Sequence, residues 1–322
     1  MKRISREQAK EYEIVRKDPL LRVSVGEEFV IETEDADNGT IRTEYDLPES
    51  AVGSETVHYN PLGGPVFVEG AEKGDVLVVN ILDVVPEQQG HTLILRDGHP
   101  LQDSARWSEC RGPYTHIIKH LPGSSGTMSD GKAVFDKQVV WGLHPLIGTI
   151  GVAPERGVES GADSNLGQGP WGGNLDCRDI CKGSKLYLPV YHEGGLLYAG
   201  DVHGTQGDTE FTGVANEARA EVFLSCEIIK DKTIPFVRIE KEDSIVQLNC
   251  YRPLEDAITQ AFLWLMDWLV TDYEMKPRDA YMIMSVNPYV RVSVYQMVKL
   301  GRLEYTVGVQ FPKEHLSRKK QL

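Results

Sequence analysis

The chain has 322 residues, 41% of them hydrophobic, which is enough to bury a substantial core in one large domain or two ordinary ones and excludes a disordered chain. Its 34 Lys and Arg stand against 48 Asp and Glu, a formal charge of −14, with the basic residues scattered until Arg318-Lys319-Lys320. No basic surface is offered to nucleic acid or anionic lipid, and neither partner is expected. Met1-Lys2-Arg3 leads into polar residues without an apolar signal region, and the longest hydrophobic segment, Ala261 to Val270, is interrupted by Asp267 and too short for a bilayer. A cytoplasmic protein is expected. The odd number of cysteines (Cys110, Cys177, Cys181, Cys226 and Cys250) fits reduced, structural thiols.

Thirty-one glycines and 17 prolines separate short runs rich in Val, Ile, Leu and Tyr, the spacing of a β protein. In chain order the expected strands are Leu21 to Val25, Glu28 to Glu34, Val66 to Glu69, Asp75 to Leu82, Thr115 to Ile118, Lys137 to Trp141, Thr149 to Ala153, Lys185 to Tyr191, Gly195 to Ala199 and Arg219 to Ile229. Few are followed by a helical period, which disfavours a doubly wound nucleotide fold. Pro113 to Gly131 and Gly157 to Gly173 read as long loops and candidate lids. After Pro253, apolar residues recur at helical spacing from Leu254 to Tyr273, a second helix is expected after Pro277, and Tyr289 to Val298 and Leu303 to Phe311 read as closing strands. The fold class is therefore mainly β with α+β elements: a β-sandwich-rich body over residues 1–240 and a smaller C-terminal α/β part over 241–322. Apolar surface on the C-terminal strands and the Trp264 to Trp268 helix suggests a homo-oligomer, most simply a dimer. The competing reading places both tryptophans in the core.

The densest collection of chemical side chains is Leu197 to Gly213, LYAGDVHGTQGDTEFTG. Asp201 and His203 are two apart, so on an extended backbone they leave the same face, and Asp208 and Glu210 repeat the spacing. A carboxylate beside an imidazole suits a divalent metal or a polarised water, whereas the bland alternative is a turn with solvated acids. Upstream, Gly172-Gly173-Asn174-Leu175-Asp176 puts an amide and a carboxylate on one face behind two glycines. Pro122-Gly123-Ser124-Ser125-Gly126 reads as a flexible loop rather than a catalytic serine pair, and the glycines of Gly161 to Gly173 lack the Gly-Lys-Ser/Thr of a phosphate cradle.

Taken together, Asn60-Pro61, Gly64 to Leu77, His144-Pro145 with Gly148, Ile150 to Pro154, Gly172 to Asp176, Leu188-Pro189-Val190, Gly200-Asp201-Val202-His203 and Gln206 to Glu210 resemble the acetamidase/formamidase family. The resemblance implies hydrolysis of small aliphatic amides to a carboxylate and ammonia, with a site built from His144, Asn174, Asp176, Asp201, His203 and Glu210. Asp176, Asp201 and His203 would hold a divalent metal, zinc ahead of calcium. Glu210 would shuttle the proton, and the Asn174 amide would help polarise the carbonyl. One departure stands out. Where the family usually reads Gly-Asp-Gly-Glu, this chain has Gly207-Asp208-Thr209-Glu210, and a β-branched residue is strained if that position needs a positive φ. Two other functions fit the sequence: a lactam hydrolase on the same scaffold, and a non-catalytic β-sandwich binding protein with a structural metal.

Overall fold

The structure, a computed structural model, describes residues 1–48, 58–95, 107–155, 164–298 and 303–316. The strands are β1 (Lys2–Ile4), β2 (Leu21–Val23), β3 (Phe29–Thr33), β4 (Leu62–Val68), β5 (Val76–Ile94), β6 (Tyr114–Leu121), β7 (Lys132–Val134), β8 (Val140–Gly142) and β9 (Leu146–Val152). They continue as β10 (Gln168–Gly169), β11 (Gly172–Asn174), β12 (Lys185–Pro189), β13 (Leu197–His203), β14 (Glu217–Ile229), β15 (Arg238–Glu240) and β16 (Ser244–Tyr251). Helices α1 (Leu254–Tyr273) and α2 (Pro277–Val286) precede β17 (Arg291–Gln296) and β18 (Tyr305–Pro312).

The strands form one hydrogen-bonded network folded into two layers. In the first, β13 runs antiparallel between β4 and β9, with β11 and β10 beyond β9 and β2 added parallel to β4. In the second, β14 runs antiparallel between β3 and β5, and β5 leads through β12 to β15, β16, β18 and β17. The described layers meet where His203 of β13 pairs with Glu217 of β14. Between them lies the main core, with Ile31, Val79, Val222 and Leu224 of one layer clustered with Val66, Ile150, Leu197 and Ala199 of the other. The mainly β, sandwich-rich expectation is met.

Where strand edges differ from the sequence reading, the causes are local. β5 runs on to Ile94 because Pro86, a residue that normally ends a strand, sits opposite Ala220 beside a register shift in β14. The expected strand Thr115 to Ile118 is met and lengthened: residues 114–121, running into what also read as a loop from Pro113, form β6, which pairs with the extended end of β5. Ser124 and Ser125 lie in the turn that follows and bond Asp130, while 157–163 of the second expected loop fall outside the described residues. The expected division at 240/241 falls in the turn of the β15–β16 hairpin, where the Lys241 amide donates to Ser244 O.

Helix α1 has the predicted bounds. Its Ala257, Ala261, Leu265 and Leu269 recur every four residues and pack on Ile245 of β16 and on Val307, Val309 and Phe311 of β18. Glu274 ends it in the left-handed region. Trp268 is buried, and the half-buried Trp264 stacks on Phe236 at the edge of the core. Leu265→Ala should lower the unfolding free energy in a denaturant titration by about 2–5 kcal/mol, whereas Leu263→Ala, on the exposed face, should change it by less than about 0.5 kcal/mol. Equal effects would mean that α1 is not docked through this stripe.

Candidate active site

Four carboxylates and one imidazole converge at the junction of the two layers. The His203 Nε2 atom lies 3.3 Å from Glu217 Oε2, 3.5 Å from Asp201 Oδ1 and 3.9 Å from Asp176 Oδ1. Two sets of three groups, Asp176–Asp201–His203 and His203–Glu210–Glu217, each place ligand atoms within 4.8 Å of one another, and all five residues are buried. The acids and His203 line a cavity of about 260 Å³ that no described Lys or Arg enters.

The backbone brings these groups together through unusual conformations. Asp201 interrupts the β9 register with φ 55°, so it joins His203 through a left-handed kink and not through the extended geometry its spacing suggested. Asn60, Asp176, Thr209 and Glu210 also have positive φ; with Asp201, five of the nine such non-glycine residues described lie at the site. Each costs on the order of 1–3 kcal/mol and persists only where its surroundings fix it. Gly148 supplies room: a Cβ there would lie 2.8 Å from both Asp176 Oδ1 and Asp201 Oδ2.

Neutral donors hold the acids. Asn60 Nδ2 and the Thr149 hydroxyl donate to Asp201 Oδ2 at 2.8 and 2.9 Å, and Gln296 Nε2, at the end of β17, donates to Asp176 Oδ2 at 2.6 Å. The Asn174 amide nitrogen faces the carboxylate oxygens of Asp176 and Asp201 at 3.0–3.2 Å. It is thereby committed to the acids, which bears on the carbonyl-polarising role the resemblance implied. The Gln206 amide oxygen accepts from His203 Nδ1 at 2.9 Å while its nitrogen donates to the carbonyls of Asp176 and Tyr295, leaving Nε2 aimed at the acids. His91, bonded to Asp37 at 2.9 Å, flanks the cluster opposite Glu217.

The electrostatics follow from crowding. Burial, then repulsion from Asp201, pushes the Asp176 carboxyl up to about 7; burial, then Asp176, pushes Glu210 well above the carboxylate range, and burial raises Glu217. Burial opposes the His203 imidazolium, but Glu217 and Asp201 outweigh it and raise its pKa well above the ordinary value. Such a set accepts a cation readily. Glu217 Oε2, which faces His203 Nε2, and the buried Gln296 Oε1, which has no hydrogen-bond partner among the described residues, are further oxygens in the same place, and the donor set of carboxylates and one imidazole fits a divalent metal ion.

Of the residues expected from sequence, the structure brings together Asn174, Asp176, Asp201, His203 and Glu210. It does not bring His144 with them: that ring is exposed, bonds the Arg178 carbonyl at 3.3 Å, and lines a separate depression with Trp141 and Thr205. Glu217, Thr149 and Gln296 escaped sequence reading because they come from three other strands, with no spacing relation to the acidic loop. Asn60 and Gln206 carried a signal only as part of the family-like motifs.

Thr209 has φ 72°, so the glycine-like conformation is retained by a β-branched residue, with its carbonyl held by the Met297 amide at 2.8 Å. Thr209→Gly should relieve roughly 1 kcal/mol and raise the thermal midpoint by about 1–2 °C; an unchanged or lower midpoint would show that the loop stores no such strain. A second expectation concerns pH. In chelated protein, folded Asp176 keeps its proton up to about 7 while the unfolded chain releases it near 4, so stability falls as pH rises through that window. Urea midpoints measured after chelation should decline from about pH 5 to 7, and a divalent ion should flatten the decline. A midpoint that rises over this range in the chelated protein would contradict the crowded-acid description.

The model of the Acetamidase/Formamidase family matches residues 16–163 and 167–313. Formamidase from Methylophilus methylotrophus is 31% identical over 256 residues, covering 65% of this chain and 61% of that one. The chain spans about three fifths of the length of the curated relatives it matches. Among solved structures, acetamidase from Yersinia enterocolitica superposes with a TM-score of 0.85 at 32% identity, covering 98% of this chain and 93% of that one. Acetamidase from Bacillus halodurans gives a TM-score of 0.84 at 26% identity, covering 97% and 98%. No described helix is long and apolar enough to cross a membrane. With the family model matched along most of its length, the chain belongs to the acetamidase/formamidase family.

Proposed function

We propose that the protein hydrolyses the carbon–nitrogen bond of small linear amides, consuming one water and releasing a carboxylate and ammonia. The observation that carries this reading is the buried cluster of Asp176, Asp201, His203, Glu210 and Glu217 opening into a cavity, in a chain of this family. In this reading Asp176, Asp201 and His203 hold a divalent ion, with zinc favoured over calcium because an imidazole is a ligand zinc takes readily and calcium, which prefers oxygen, does not. When bound, such an ion polarises the amide carbonyl and lowers the pKa of the attacking water.

The remaining work falls to the chain. Glu210 lies beside the cluster, and among the described residues no donor engages its carboxyl, so it is free to take the proton of the attacking water and return it to the departing nitrogen. Burial and the neighbouring Asp176 raise its pKa, the direction that suits the second half of that task. Asn174, Thr149, Asn60 and Gln296 fix the acids that would bind the ion. Gln206 fixes the ring of His203, and no step is assigned to His144.

The test is ammonia release from formamide, acetamide, propionamide and a small lactam, with protein as isolated, after chelation, and after restoring Zn²⁺ or Ca²⁺. Activity on linear amides should vanish on chelation and return with one ion, whereas silence on every amide at any ion load would support a structural metal and a binding role. Glu210→Gln should keep near-normal metal content and lower turnover by about 10²-fold or more, and His203→Ala should release the metal. Loss of metal from Glu210→Gln would instead assign the ion to the His203–Glu210–Glu217 set.

A further inference from the structure

The cavity is larger than formamide or acetamide requires, and most of its described lining away from the acids is apolar. At about 260 Å³ it has the volume of roughly nine waters, each taking about 30 Å³ of liquid, whereas those two amides displace only about two or three. The acidic residues and Asn174 form one part of the lining, and Leu93, Leu95, Leu166, Val214, Val298 and Leu303 contribute apolar groups to the rest. Leu93, Val298 and Leu303 are only 3–4% exposed, so little of this wall is open to water. It also begins close to the acids. The Gly213 amide donates to Glu210 O at 2.8 Å, and a methyl group built on Gly213 would lie 3.4 Å from Val298 Cγ1 and 3.8 Å from Leu95 Cδ1. Leu93 follows His91, the residue paired with Glu217, by two positions on β5.

A buried apolar wall next to a polar reaction centre is the arrangement that reads an acyl chain. With a one- or two-carbon acyl group, water would remain against leucine and valine side chains that offer it no hydrogen bond; a longer acyl group displaces that water. We propose that the preferred substrates are primary amides with an apolar acyl group of about four to seven carbons, linear or aromatic, the carboxamide at the acids and the hydrocarbon against Leu93, Leu95, Val298 and Leu303. This rests on the amide-hydrolase reading of the site and names its substrate class.

The experiment is a series of primary amides from formamide to octanamide, with benzamide. For each, kcat/KM is measured on the metal-loaded protein, and affinity is measured by calorimetry on Glu210→Gln and on chelated wild type. Both quantities should rise about four-fold per added carbon to an optimum between roughly four and seven carbons, then fall. Val298→Trp should move the optimum to shorter chains. A profile that is flat, or highest at formamide or acetamide, in both turnover and binding would overturn the inference. If no amide is hydrolysed, the catalytic reading fails; affinity that still climbs with chain length would support the apolar pocket, and affinity that does not would overturn it too.

Discussion

The constraint on which the site depends is the confinement of four carboxylates around one imidazole in a space from which described Lys and Arg are absent. Like charges a few ångströms apart, away from water, cannot all remain ionised unless a cation joins them or protons do. The protein therefore carries a built-in demand for positive charge at the junction of its two layers. His203 meets part of that demand, and a divalent ion would meet more. The neutral amides and hydroxyl of Asn60, Asn174, Thr149 and Gln296 set the direction of the carboxylates without cancelling their charge. An arginine or lysine in their place would form a salt bridge and remove the affinity for an ion.

Much of the scaffold serves this arrangement. The β13–β9 pairing skips Asp201, where the left-handed kink sets the direction of its carboxylate, and the bare backbone of Gly148 lets Asp176 close in. Clustering of strained residues at one place is what is expected when geometry has been set by chemistry and stability supplied by the rest of the fold. The large core between the layers, running from Ile31 to Leu224 on one side and Val66 to Ala199 on the other, is the source of that stability.

What the sequence revealed and concealed follows from range. Helix α1 was legible to its ends because its period and its termini are local properties. The acids of the Asp201–Glu210 loop and the Asn174–Asp176 pair were legible because each lies in a short, glycine-marked segment. Glu217 was not, since it belongs to β14 and meets His203 only through strand pairing. Gln296 lies on β17 at the far end of the chain, where a register shift next to Tyr295 turns it inward. His144 is the converse case: it stands in a family-like motif, yet its backbone amide donates to Gly204 O while its ring turns to the surface, away from the acids. β16 was hidden by Gln247 and Asn249, polar residues that are buried because Arg238, Val237, Leu248 and Ala257 satisfy them.

The meeting of His203 with Glu217 has one more consequence. It is the hydrogen-bonding register point at which β13 of one layer touches β14 of the other, and it is also the point at which the acids of the two strands face each other. Ligand spacing and layer separation are thus a single coordinate. A charge shared between the two strands holds that seam, and its loss leaves the acids of both strands repelling one another there. Amide-proton exchange along the ends of β13 and β14 would then report on site occupancy from the backbone alone, without any substrate present.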